Sequence, residues 1–317
     1  MRKITIGLET LTAAFVHADT EEARWRAAPF RGLARYWFRA VTGASLAQDH
    51  VRIAEAELFG TSETASPVAF RLLAAPARTP VEVDVNPGGE RSGRRQAFLP
   101  PAALKLAVQA NAWTKGAEAE RLVQQAYAAV WLSVHLGGVG QRARRGGGSL
   151  RMTAVEPSAA LPVPANAASA EALAAQLKDG IAACRHILGA ERLRPAAGGR
   201  PEFPVLLPPS AEVVVAETGW GPSEEAVRLR LMNLRRSCHR PGTPQGGRRF
   251  EPEFGAIGAR GDRIASPLWV RVARIDPPRT LVVVTLMRHQ GAERLGADWR
   301  HAEEFIRKLN GVRVSLG

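Results

Sequence analysis

The chain has 317 residues, of which 45% are hydrophobic, and its 43 lysines and arginines outnumber 30 acidic residues, for a net charge of +13. This predicts a soluble globular protein with room for two domains and favours a polyanionic partner, although a high-GC genome also enriches arginine. Two distant cysteines exclude a disulfide framework or zinc knuckle and favour the reducing cytoplasm, and the alternating start, Met1 to Gly7, excludes a signal peptide or membrane anchor.

The first half of the chain predicts one β-α-β-β-α-β unit. The expected strands and helices, in chain order, are strand 3–11, helix 31–41, a short helix 51–58, strands 67–73 and 81–85, helix 117–136 and strand 150–155. This order is typical of the ferredoxin-like fold, whose helices cover one face of the sheet. RNA-recognition folds bind at the opposite, open face.

The second half predicts a further α+β unit after a linker. Residues 156–169 are rich in Pro, Ala and Ser, so we expect domains at 1–155 and 170–317. The expected elements are helix 171–188, strand 212–217, helix 223–237, strands 268–275 and 280–287, and helix 298–309. The predicted fold class is therefore α+β, with two ferredoxin-like units, antiparallel sheets and long basic loops at 86–100 and 235–263.

Arginines recur every fourth residue on the first predicted helix. Arg31, Arg35 and Arg39 form one stripe opposite Leu33 and Trp37, and this stretch contains no carboxylate. A bound anion would relieve the repulsion among the three charges, whereas the alternative is a solvated surface with screened charges. We expect the stripe to bind phosphate.

A second arginine cluster lies in a glycine-rich loop. Residues 137–149 read GGVGQRARRGGGS, and the glycines permit a nest of backbone N–H groups around an anion. The loop lacks the Lys-Ser/Thr of a nucleotide P-loop. The alternative is a flexible turn whose arginines cap the preceding helix.

The sequence offers little for catalysis, since it holds no His-Glu-x-x-His pair, no paired Asp motif and no Gly-x-Ser-x-Gly elbow. We expect no metal or cofactor. His135 is a weak candidate base for a metal-free ribonuclease, and a packed histidine is the simpler interpretation.

Four motifs, spread in order over most of the chain, resemble the RAMP superfamily of CRISPR effector proteins, most closely the first-numbered subunit of type III-B (Cmr) complexes. They are the RGLARYWFR run at 31–39, ELFG at 57–60 leading to Ser66-Pro67, the loop at 138–149, and ASPL at 265–268. The resemblance implies two ferredoxin-like units and a place beside the sixth-numbered and backbone subunits. It also implies contact with the 3′ part of the guide RNA and with the target RNA. In such complexes cleavage of the target RNA is assigned to the backbone subunit.

Our leading hypothesis is a non-catalytic, cytoplasmic RNA-binding subunit. The residues expected to contact RNA are Arg31, Arg35, Arg39, Gly138, Gly140, Arg142, Arg144, Arg145, Gly146, Gly147, Arg260 and Arg263. The rival hypothesis is a metal-independent RAMP endoribonuclease that processes precursor guide RNA. A third is a protein adaptor whose charge is incidental.

Overall fold

The computed structural model describes most of the chain. The described residues are 2–17, 22–85, 93–158, 161–163, 167–193, 200–221, 223–238, 251–257, 263–275 and 279–317. None of the helices in these ranges is both long and apolar enough to cross a bilayer.

The first half forms two long helices over a four-stranded sheet, with one added helix and one added hairpin. Its elements are β1 Lys3–Thr10, α1 Ala28–Thr42, α2 Gln48–Phe59, β2 Val68–Ala74, β3 Val81–Asp84, β4 Arg94–Ala97, β5 Ala103–Ala110, α3 Gly116–Leu136 and β6 Leu150–Glu156. The main sheet has the antiparallel order β2-β5-β1-β6. This is the predicted ferredoxin-like order, with α1 and α3 as the two crossover helices.

The prediction that the strand at 81–85 belongs to the main sheet is wrong. Val81 to Val85 was expected in the main sheet, but β3 pairs only with β4 in a separate hairpin. The third strand of the ferredoxin-like unit is instead β5, which pairs with β1 and β2. The sequence of β5, ALKLAVQA, consists largely of residues without β-propensity and so gives no strand signal. The β-branched valines of β3 do give a strand signal, but that signal does not show which sheet the strand joins.

The second half repeats the same strand order. Its elements are α4 Ala170–Ile187, β7 Ala211–Glu217, α5 Glu224–Ser237, β8 Ala256–Ile257, β9 Arg263–Ile264, β10 Leu268–Ile275, β11 Arg279–Met287, α6 Gln290–Glu293, α7 Trp299–Leu309 and β12 Val312–Val314. The sheet order β10-β11-β7-β12 is antiparallel and matches the first sheet position by position, with α5 and α7 as crossover helices. The predicted pair of ferredoxin-like units is confirmed.

The two units share one hydrophobic core. Leu132 of α3 and Leu177 of α4 belong to the same buried cluster as Val213, Val215 and Val283 of the second sheet. The opposite face of that sheet packs against α5 and α7, so both of its faces are covered. The division at 156–169 remains a prediction. Among the described residues, the sheet of the first unit keeps Arg71 and Lys105 exposed.

Polar contacts hold β10 against the first unit. The buried Arg271 side chain donates to the carbonyls of Leu150, at 2.7 Å, and His135, at 3.4 Å. The Val272 backbone N–H donates to the Ser149 hydroxyl at 3.0 Å. These bonds fix β10 beside the end of the glycine-rich loop, where the candidate site lies.

Candidate nucleic-acid interface

The arginine stripe on α1 faces α2 and is partly neutralised there. Arg35 Nε lies 2.6 Å and Arg39 Nη1 2.5 Å from the same oxygen of Glu55, whose side chain is 8% exposed. Arg31 donates to the Phe59 carbonyl at the end of α2. Helix α1 contains no carboxylate of its own, but α2 supplies one. The expectation that the arginines of the stripe have no acidic partner is therefore wrong.

The pairing leaves residual positive charge. Two guanidinium groups share one carboxylate, and the Arg35 and Arg39 side chains remain 35% and 38% exposed. A phosphate could be accepted without breaking these bonds, because each guanidinium carries five donors. Phosphate binding by the stripe remains a prediction.

The glycine-rich loop is packed against the segment that follows β1. The backbone N–H of Gln141 donates to the Phe15 carbonyl at 2.9 Å, and that of Gly148 donates to the Ala13 carbonyl at 2.8 Å. The Val139 N–H donates to Gly148 at 2.9 Å. These N–H groups are engaged within the protein, so the predicted nest does not form from them, and anion binding must come from the side chains.

The glycines serve close packing in this loop. Gly140 has φ +94°, and a Cβ there would lie 2.5 Å from the Phe15 carbonyl oxygen. Gly138, Gly146 and Gly147 are buried. Contacts between RNA and these four glycines remain a prediction.

Arg142 and Arg145 carry the charge of the loop. Both are half-buried, and within the described part of the chain neither forms an ion pair. Burial, followed by Arg145, Arg95 and Arg228, lowers the pKa of Arg142 to about 10. Burial and Arg236 lower the pKa of Arg145. Both groups stay cationic at neutral pH, in a cluster of like charge that an anion would stabilise.

Arg144 points away from this cluster into an aromatic sandwich. Its guanidinium carbon lies 4.3 Å from the Trp269 ring centre and 4.7 Å from that of Tyr36. One Nη donates to the Ser266 carbonyl, and Trp269 donates to the Tyr36 hydroxyl at 3.0 Å. The contacts assign Arg144 a role in joining the two units, and its predicted phosphate contact is untested.

Arg235 and Arg236, at the end of α5, were noted only as part of a long basic connection. Burial first, and then Arg145, lower the pKa of Arg235, which donates to the Phe254 carbonyl at 2.5 Å. The two adjacent arginines are visible in the sequence as a local concentration of positive charge. Their proximity to the glycine-rich loop could not be predicted, because it depends on contacts between distant parts of the chain.

The remaining predicted residues add little. Arg260 lies outside the described residues, and Arg263 is described only as a backbone position of β9. His135 is buried, its ring centre lies 4.4 Å from that of Trp131, and burial followed by Arg271 lowers its pKa well below the ordinary value. Its burial favours the interpretation as a packed histidine over a role as the base of a nuclease.

Comparison with known proteins agrees with the resemblance drawn from the motifs. The model of the RAMP superfamily matches residues 8–151. This match covers a little less than half of the chain and confirms the predicted resemblance to the superfamily.

The chain is similar to Cmr1 in particular. It is 28% identical to "CRISPR system Cmr subunit Cmr1-1" of Pyrococcus furiosus over 142 residues, a stretch that spans 40% of each protein. The crystal structure of Cmr1 from P. furiosus (apo form) has a TM-score of 0.63 and 19% identity over 99% of both chains. A chain in the cryo-EM structure of the type III-B Cmr-beta bound to cognate target RNA has a TM-score of 0.57 and 10% identity over 98% of this chain and 99% of that one.

Proposed function

We propose that this chain is a non-catalytic, RNA-binding subunit of a type III-B CRISPR (Cmr) effector ribonucleoprotein. The likeness to Cmr1, and to a chain of an effector bound to target RNA, supports the place in the complex. The guide RNA, the target RNA, and the sixth-numbered and backbone subunits are the proposed partners.

The observation that carries the proposal is the uncompensated charge of Arg142 and Arg145. These guanidinium groups are half-buried, form no ion pair with any described residue and lie near further arginines, which makes them suited to a polyanion. Such contacts hold the phosphate backbone irrespective of sequence, and sequence would be read by base pairing within the guide.

The experiment is a purification of the native complex through this chain, with sequencing of the RNA that accompanies it. We expect guide RNA, and we expect precursor repeat RNA incubated with the purified chain in EDTA to stay intact. Recovery of the chain without RNA and without other Cmr subunits would contradict the proposal. Cutting in EDTA would favour the rival endoribonuclease.

A further inference from the structure

Helices α1 and α3 cover one face of the main sheet of the first unit. On that face, Ile4 and Ile6 of β1 and Leu104 and Leu106 of β5 belong to the buried cluster that also contains residues of both helices. Successive residues of a strand point to opposite faces, so the residues between these four point away from the helices. Lys105 is one of them and is exposed, so no described element covers the second, open face at this position.

Three cations from three neighbouring strands lie on this open face. Lys3 of β1, Arg71 of β2 and Lys105 of β5 are exposed, and none of them forms an ion pair with a described residue. The strand register places Lys3 opposite Gln109, Arg71 opposite Ala107 and Lys105 opposite Gly7. The three cations therefore occupy successive rows of the face, about 7 Å apart along the strands, because each residue of a strand rises by about 3.4 Å.

The acidic residues of the same face do not neutralise these cations. Glu9 forms ion pairs with Arg151, at 3.3 Å, and with Arg274, at 3.4 Å, so its charge is already compensated. Glu156 is exposed on the edge strand β6, and two strands, β1 and β5, separate it from Arg71 on the opposite edge. The half of the open face that β2 and β5 form therefore carries a surplus of positive charge.

We infer that the open face of the first sheet is a second RNA site, at which Arg71 and Lys105 hold the phosphates of a single strand and Lys3 extends the contact. This inference rests on the proposed function and places a contact outside the glycine-rich loop. Cations in successive rows suit the repeated phosphates of a nucleic acid, and the small residues Gly7 and Ala107 leave the surface between them flat. None of the described strand residues on this face is aromatic, so bases are not stacked there and the contact is independent of sequence.

The test compares binding of single-stranded oligouridine to the full chain at several salt concentrations. The variant R71A/K105A is expected to bind about tenfold more weakly at low salt, with a salt slope lower by roughly 0.7 for each lost contact. R71K/K105R should keep the slope, because both charges are retained. The matched control is R52A/R300A, which removes the same number of charges from side chains that are 70% and 86% exposed on α2 and α7.

A failure of this inference is distinguishable from a failure of the proposed function. A slope that is unchanged in R71A/K105A but lowered in R142A/R145A would overturn the site on the open face and leave the proposed function standing. An equal loss of affinity in R71A/K105A and R52A/R300A would show only the effect of net charge and would also overturn the site. Unchanged RNA affinity of R71A/K105A combined with loss of assembly with other Cmr subunits would assign the face to an acidic protein surface instead. A wild-type chain that does not bind the RNA would contradict the proposed function itself.

Discussion

The three loop arginines have different surroundings although they lie within four residues of one another. Arg142 and Arg145 face other arginines, whereas Arg144 is held between two aromatic rings and a carbonyl. Adjacent positions of a 3-10 turn point in different directions, so a run of like residues need not form one surface.

Arg144 should contribute to stability. Replacing it by Ala removes a cation–π contact and a charged hydrogen bond, and we expect the free energy of unfolding to fall by about 2 kcal/mol. Urea titration followed by tryptophan fluorescence measures this, with R52A as the exposed control. Equal stability of R144A and wild type would contradict the joining role.

His135 should make the fold sensitive to acid. Its folded-state pKa lies well below 6.5, so below that pH the unfolded chain binds a proton that the native chain does not. The stabilisation is present above pH 6.5 and is lost as the pH falls, by up to about 1.4 kcal/mol per pH unit. His289, whose pKa is also lowered by burial, adds an effect of the same sign.

The measurement is the free energy of unfolding between pH 7 and pH 5 for wild type and His135→Gln. The free energy of unfolding of the variant should depend less steeply on pH than that of the wild type. Parallel curves for wild type and the His135 variant would show that this imidazole is not held neutral.

At the level of elements, the glycine-rich loop is a rigid connection between α3 and β6. Gly148 has φ +58°, its N–H donates to Ala13, and a Cβ there would collide with the Val139 carbonyl oxygen. The loop positions its arginines through this packing, because its backbone is anchored at both ends to the segment after β1.

Gly148→Ala should therefore lower the free energy of unfolding by roughly 3–5 kcal/mol. Gly32→Ala is the matched control, because Gly32 lies inside α1 with nothing within 4 Å of its added Cβ, and this change should stabilise by about 0.5–1 kcal/mol. Thermal unfolding of both variants checks this, and a tolerated Gly148→Ala would mean that the loop is not tightly packed.

Local patterns predicted most helices and strands but not their partners. The four-residue recurrence placed Arg31, Arg35 and Arg39 on one face of α1, yet Glu55 on α2 could not be identified as their neighbour. Strand β5 was missed because it consists largely of helix-favouring residues. Strand β3 was assigned to the main sheet because its β-branched residues are typical of a sheet strand. Partner choice depends on tertiary contacts, which periodicity does not encode.

At the scale of the whole molecule, the two units are joined through a shared core and through β10. The sequence suggested a repeated unit, and the strand order confirms it, but the burial of both faces of the second sheet was not foreseen. Because the two units are docked in this way, α5 brings Arg235 and Arg236 close to Arg145 of the glycine-rich loop.

The central claim is that Arg142 and Arg145 hold an RNA backbone that the chain does not cut. The most direct test is filter binding of labelled single-stranded RNA, at two salt concentrations, by wild type and R142A/R145A. We predict weaker binding by the variant to every sequence tried, a salt slope lower by roughly 0.7 for each lost contact, and intact RNA throughout. Identical affinity and slope for the two proteins, or RNA cleaved by the wild type, would contradict the account.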